Sequence, residues 1–413
     1  MTGHDTPLSG GSKDSRKSGA RFHVVVVGGG VGGLCLAQGL TKSGISVAVY
    51  ERDTSAQLRN QGYRIGVKDT GAQALRDCLP GQLFNLCVAT SIRQATRMVF
   101  TDEHLRPKFS KPIPHVDPGV SGFGVNRLTL HEILLAGLDS VVYFGKRFHH
   151  YEYTADGRVR AHFADGTSAE ADLLVGADGT NSAVRHQLLP DAVIDELHWA
   201  VYGKTPITTG TLDWVPDVLI DTFNRVIGPD DTAFAVATCR SLEPIADAAD
   251  RLAPGLRLTA VPDYFSWTMP LLQERLRTAD AATLHQAAGD AVGEWHPAVR
   301  RLIAEADVAA TFPVRITSAR PVPPWDSTKV TLLGDAIHTM SPGRGDGANI
   351  ALKDAQLLRN ALVDVATGQV PAARAKQRYE TAMLAYGFQA VADSLHKPFA
   401  PPRPGTAESG SRR

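Results

Sequence analysis

Residues 22–51 set a glycine-dense turn between two short β-branched runs, an arrangement that constrains the rest of the chain. Residues 22–27 are a short β-branched run. Leu34, Ala37 and Leu40 then recur at helical spacing, and residues 46–50 form a second such run. The segment reads as a βαβ unit with Gly28-Gly29-Gly30-Val31-Gly32-Gly33 at the strand-to-helix turn and Glu51 ending the second strand. In Gly28-x-Gly30-x-x-Gly33 the first glycine makes the tight turn. The second lets backbone N–H groups approach a pyrophosphate, and the third lets the helix pack closely. The helix N-terminus adds partial positive charge, and Glu51 can accept hydrogen bonds from ribose hydroxyls. A dinucleotide site is the expectation, and this turn alone does not separate NAD from FAD.

Two later segments repeat the strand-then-turn pattern. Gly176-Ala177-Asp178-Gly179 follows an apolar run and leads through Ser182 and Arg185 into a helix. Leu333-Gly334-Asp335 leads through Pro342 into Gly345-Asp346-Gly347-Ala348-Asn349. An Asp at the carboxyl end of a parallel strand faces the crevice where open α/β sheets bind ligands, so Asp335 can bond a ribityl hydroxyl of a flavin. Gly345 and Gly347 permit close backbone approach. A helix opening near Ala348 or Asn349 points its dipole at the flavin pyrimidine and stabilises negative charge on the reduced ring.

These segments are similar to the GxGxxG, DG and GD motifs of the single-component FAD-dependent aromatic hydroxylases, the p-hydroxybenzoate hydroxylase-like and tetracycline monooxygenase-like group. Residues 22–395 follow that family's order. The resemblance implies an α/β fold: a Rossmann-like FAD-binding domain, an inserted mixed β-sheet substrate domain and a C-terminal helical segment. It implies FAD with NADPH or NADH as co-substrate, and oxygenation by O2 through a C4a-hydroperoxyflavin, most often hydroxylation of a small aromatic or polyketide-like molecule. Carried over by position, Gly28, Gly30, Gly33, Glu51 and Arg52 attend the adenosine half of FAD, with Asp335 on the ribityl chain. Gly345, Gly347, Ala348 and Asn349 lie against the isoalloxazine. Arg127 opens a helix and contacts FAD, Asp178 serves FAD and the nicotinamide, and Pro342 walls the oxygen-reaction pocket. Arg64, a catalytic candidate, falls where the family's chain passes near the flavin and substrate. Gly345-Asp346-Gly347 departs from the family's Gly-Gln-Gly, and Asp346 has no evident role.

The domain reading assigns residues 21–87, 117–189 and 310–346 to FAD binding, 88–116 and 190–309 to the substrate domain, and 347–396 to C-terminal helices. Residues 1–20 and 397–413 are rich in Gly, Ser and charge or in Pro and Arg, and read as disordered tails. Helical patterns are expected over residues 70–86, interrupted at Pro80-Gly81, over 128–138 and over 349–365. Asp156-Gly157 and Asp165-Gly166 predict hairpins within a β series at 141–144, 151–154, 159–163 and 168–176. In the insertion, Phe223, Phe234, Trp267 and Met269 are candidate substrate contacts, although core packing is the default for such residues.

Composition excludes several classes. Lys plus Arg and Asp plus Glu both total 43 in 413 residues, so no net field favours nucleic acid or an anionic membrane. The four cysteines form no CxxC or zinc spacing, and the histidines match no metal motif. We therefore expect a cytoplasmic monomer or homodimer acting on a small molecule and O2, without nucleic-acid, membrane or metal partners. Two rival readings stand beside it: a nicotinamide-only dehydrogenase, and a non-redox cyclase with a structural flavin.

Overall fold

Four valines, Val24 to Val27, are buried on both faces, as a central parallel strand requires. The computed structural model, which describes residues 22–56, 63–229 and 232–396, places His23–Val27 in the middle of a five-stranded parallel sheet. The strand order is Val330–Leu332, Leu173–Gly176, His23–Val27, Ser46–Tyr50 and Val142–Tyr143. Helices Val31–Lys42 and Gly347–Ala366 pack on each other, the second also meeting helices Asp69–Cys78 and Ala372–Leu395. The fold is therefore α/β with a Rossmann-like half, as expected. Both expected tails fall outside the described residues.

The Pro80-Gly81 interruption separates helix Asp69–Cys78 from helix Gly81–Ala89, and the helix expected at 128–138 runs Arg127–Leu135. The β series divides differently from its sequence pattern. Val142–Tyr143 joins the edge of the parallel sheet, and the hairpins link Phe148–Tyr153, Val159–Phe163 and Ser168–Ala171 in a separate antiparallel meander.

The larger, mixed sheet has seven strands in the order Phe312–Ala319, Ile194–Pro206, Tyr264–Pro270, Ala233–Cys239, Thr222–Ile227, Arg97–Asp102 and Pro107–Pro112. All neighbours are antiparallel except Thr222–Ile227 with Arg97–Asp102. Helices Ala281–Ala291 and Pro297–Ala304 cover its back, where Phe234, Phe265, Trp267 and Met269 pack with Leu284, Val299 and Leu302 in a second core. Its front faces the carboxyl ends of the parallel strands.

Candidate active site

A cleft of 2220 Å³ lies between those strand ends and the front of the seven-stranded sheet. The glycine turn, Glu51, Arg64, Arg127, Asp178, Asp335 and Pro342 all line it. Segments more than 300 residues apart in sequence thus form one continuous site.

Gly28 has φ +108°, and a Cβ on Gly33 would lie 2.2 Å from the Gly28 carbonyl oxygen, so the tight turn and the close packing each demand glycine. Gly30 differs: a Cβ there would meet nothing within 4 Å. The protein leaves room at the position where a phosphate would approach the backbone. Glu51 braces this turn, its carboxylate accepting from Gly29 N at 2.6 Å and Asp53 N at 2.9 Å. His131, one helical turn beyond Arg127, donates from Nε2 to the Gly29 carbonyl at 2.8 Å. Burial lowers its pKa, so the ring is neutral and supports the turn without adding charge. Arg127 lies over the Tyr63 ring at 5.7 Å, and Arg52 lies 3.9 Å from Asp53.

Asp178 is committed largely to its own helix. Its carboxylate accepts from Ser182 Oγ at 2.5 Å and Ala183 N at 2.7 Å, capping Ala183–Leu188, while burial raises its pKa. Arg185, fully buried, donates to the carbonyls of Thr180 and Ala336 and so ties this turn to the one bearing Asp335.

Asp335 opens helix Asp335–His338 with its carboxylate turned into the cleft and, among the described residues, without a hydrogen bond. Asp335 is exposed to the cleft, but the protein that walls it limits solvation and raises its pKa, an effect the nearby His338 and Arg127 oppose. Behind it, Asp354 Oδ2 accepts from Gly334 N and His338 Nε2, both at 2.7 Å, and Oδ1 accepts from Tyr386 at 2.5 Å.

Pro342 begins the turn Pro342–Arg344, and Gly345 follows in the left-handed region. Asn349, expected as a backbone contact, is buried and works through its side chain. It accepts from Lys68 N at 2.7 Å and donates to the carbonyls of Gly66 and Gly345, each at 2.8 Å. Asp346 pairs with Lys68 and lies 3.5 Å from Arg344.

The four substrate expectations divide: Phe223 lines the cleft, Trp267 and Met269 border it while packing in the core, and Phe234 lies wholly in that core. Phe234, Trp267 and Met269 direct their side chains into the core behind the sheet. Trp267 is 1% exposed, stacks on Phe234 and donates to Thr205 Oγ1. Large aromatic surface was buried against helices, and the alternate face went to the cleft: Ser266, Thr268, Ala235, Ala237 and Tyr202, together with Phe223. Arg64 lies with its guanidinium beside Gly124 at the cleft wall.

His131, Lys68 and Asp354 were missed in the sequence, and Arg185, noted at the helix entry, was given no role there. His131 shares a helical face with Arg127, and Asp354 sits within the apolar stripe Leu352, Ala355 and Leu358, which are usable signals. The residues present fit FAD: open space at Gly30, a carboxylate at Asp335 facing the cleft, and a glycine turn at a helix N-terminus. Among the described residues no group of acids, histidines and cysteines could hold a metal, and no helix is long and apolar enough to cross a membrane.

Residues 26–86 match the NAD(P)-binding Rossmann-like domain family, and residues 266–394 match the FAD binding domain family. The chain is 31% identical over 399 residues to a dual O-methyltransferase/FAD-dependent monooxygenase of Phaeosphaeria nodorum. That alignment covers 89% of this chain and 42% of the relative, so the chain spans less than half of that protein. It is 32% identical over 344 residues to an FAD-dependent urate hydroxylase of Klebsiella pneumoniae, covering 81% of this chain and 79% of the relative. A crystal structure from Photorhabdus luminescens, described as that of an FAD-containing monooxygenase, superposes with a TM-score of 0.78 at 31% identity. It covers 91% of this chain and 96% of its own.

Proposed function

Because this chain belongs to the FAD-dependent monooxygenases, we propose that it uses NADPH or NADH and O2 to oxygenate, most often hydroxylate, a small aromatic or polyketide-like molecule. The observation that carries this reading is the single cleft, in which the glycine turn, Asp335 and the Gly345–Gly347 turn face the seven-stranded sheet. FAD when bound supplies the redox chemistry, passing two electrons from the nicotinamide to O2, with one oxygen atom going to substrate and the other to water.

The remaining work falls to the chain's own residues. The turn from Gly28 to Gly33 and Glu51 would hold the adenosine diphosphate half, and Asp335 would accept from the ribityl hydroxyls. The N-terminus of Gly347–Ala366 would oppose charge on the reduced ring. Pro342 would wall the reaction pocket, and the front of the sheet would hold substrate away from water. Burial, then the neighbouring Tyr63, raises the Tyr202 pKa, so its hydroxyl stays protonated and able to donate to a substrate oxygen. All four cysteines are buried free thiols, which fits a reducing, cytoplasmic setting.

Purified protein should carry FAD, and the right substrate should stimulate NAD(P)H oxidation while labelled oxygen from O2 enters the product. Protein that purifies without flavin and takes up none overturns the reading. So does NAD(P)H consumption without labelled product across a panel of aromatic and polyketide-like compounds.

A further inference from the structure

Tyr63 stands where the two halves of the cleft meet. It precedes strand Arg64–Val67, which pairs with Phe123–Asn126, and its carbonyl accepts from Arg127 N at 2.9 Å. Its backbone is thereby fixed to the FAD-binding half. Its ring reaches the other half, with the centroid 5.8 Å from that of Tyr202 and 6.2 Å from that of Phe312, both on the front of the seven-stranded sheet. Those two residues are direct cross-strand partners. Their rings stack at 6.0 Å with planes 12° apart and form a flat aromatic platform.

The Tyr63 ring also meets Arg127, whose guanidinium lies 5.7 Å from the ring centroid. The Arg127 charge acts on the Asp335 carboxylate as well, so this guanidinium borders the ribityl end of the cofactor site. Tyr63 thus stands between the flavin end of the cleft and the platform. Its hold there is light. Its plane is tilted 47° to Tyr202 and 40° to Phe312, neither stacked nor edge-to-face, and its hydroxyl makes no hydrogen bond with any described residue. Tyr202 and Phe312 are only half-buried, so the platform keeps surface for another ring. A planar ring lying flat on it competes with Tyr63 and gains the better geometry.

We propose that Tyr63 is a specificity-determining gate: its ring shields the flavin while the platform is free, and a planar aromatic ring of the substrate displaces it to stack on Tyr202 and Phe312. Entry selects flat molecules, because only a flat ring recovers by stacking what the Tyr63 contacts lose. The assignment rests on the monooxygenase reading for placing substrate against the front of the sheet.

The test uses the FAD-loaded enzyme. Two probes, 2-naphthol and its saturated counterpart decahydro-2-naphthol, are titrated against the flavin visible spectrum, and acrylamide quenching of flavin fluorescence reports shielding. The unaltered enzyme should bind 2-naphthol about threefold tighter or more than the saturated probe, and F312L should bring the two within about twofold. Y63A should bind 2-naphthol about threefold tighter than the unaltered enzyme does and raise the quenching constant about twofold, since the closed position no longer competes. Y63F, which keeps the ring, should match the unaltered enzyme in both. If Y63A does not retain FAD, Y63V is read in its place, and loss of FAD from both makes Tyr63 part of the cofactor site and overturns the proposal. Weaker naphthol binding in Y63A overturns it too, because Tyr63 would then be a wall of the occupied site. So do unchanged quenching, a preference that survives in F312L, equal binding of the two probes to the unaltered enzyme, or silence from both at millimolar concentration. No turnover is involved, so these outcomes are separate from the labelled-oxygen experiment, whose failure would count against the oxygenation reading itself.

Discussion

His338 Nε2 and Asp354 Oδ2 meet at 2.7 Å with both side chains fully buried, behind the turn that holds Asp335 in the cleft. The same carboxylate accepts from Gly334 N and from Tyr386, which is on the last helix. Asp354 thus joins three elements: the turn after strand Val330–Leu332, helix Gly347–Ala366 and helix Ala372–Leu395. Position and charge are coupled there, because a shift of Gly334 also shifts the carboxylate of Asp335.

The pair should make stability depend on pH. Burial alone would depress the His338 pKa, but the Asp354 carboxylate outweighs it and the net shift is upward from 6.5. A raised histidine pKa stabilises the fold fully below about pH 6.5, and the contribution is lost as pH rises through the folded value. D354N should cost about 3–5 kcal/mol at pH 6, with the gap to the unaltered protein narrowing towards pH 9. Thermal unfolding of both proteins across that range checks this, and a gap that widens with pH would reverse the assignment.

Gly30 and Gly33 should respond differently to alanine. A Cβ at 33 collides with the Gly28 carbonyl, so G33A should lower the stability of the flavin-free protein by about 1–3 kcal/mol. A Cβ at 30 meets no protein atom, so G30A should keep the fold and weaken FAD binding about tenfold or more, equivalent to about 1.4 kcal/mol. Urea unfolding of apoprotein and a flavin fluorescence titration separate the two effects. If G30A binds FAD normally, no phosphate approaches that position.

The glycine turns were legible because each imposes a backbone demand that few other residues meet, and the structure places all three around one cleft. The sheet face was half legible. Along Tyr264–Pro270, alternation sets Phe265, Trp267 and Met269 against Tyr264, Ser266 and Thr268, but alternation alone does not say which face meets the cleft. Aromatic bulk suggested a ligand wall, whereas helix packing claimed it. The apolar stripe marks Asp354 as buried, but not its partners, which come from 334, 338 and 386 with no local pattern to join them.

The turn at residues 345–349 should depend on Asn349 more than on the Lys68–Asp346 pair. Lys68 is 49% exposed and Asp346 19%, so water screens their attraction and K68M should cost no more than about 1 kcal/mol. Asn349 is 2% exposed, and N349A strands two carbonyls and one N–H, costing about 1–3 kcal/mol or more. Urea denaturation of the two variants ranks them. A larger loss in K68M would make Asp346 the main tether.

The two faces of strand Tyr264–Pro270 predict opposite phenotypes. Trp267 fills the core behind the sheet, so W267A should cost about 3–5 kcal/mol and change substrate recognition only through lost folded protein. Ala235, paired with Thr268 on the cleft side, has open space before it. A235F should therefore leave stability within about 1 kcal/mol while displacing any ring that lies across the sheet. Chemical denaturation, and titration of the flavin visible spectrum with the same panel of aromatic compounds, run on both variants, distinguish core from cleft. Were W267A fully stable and defective in binding, with A235F unaffected in both, the assignment of the two faces would have to be exchanged.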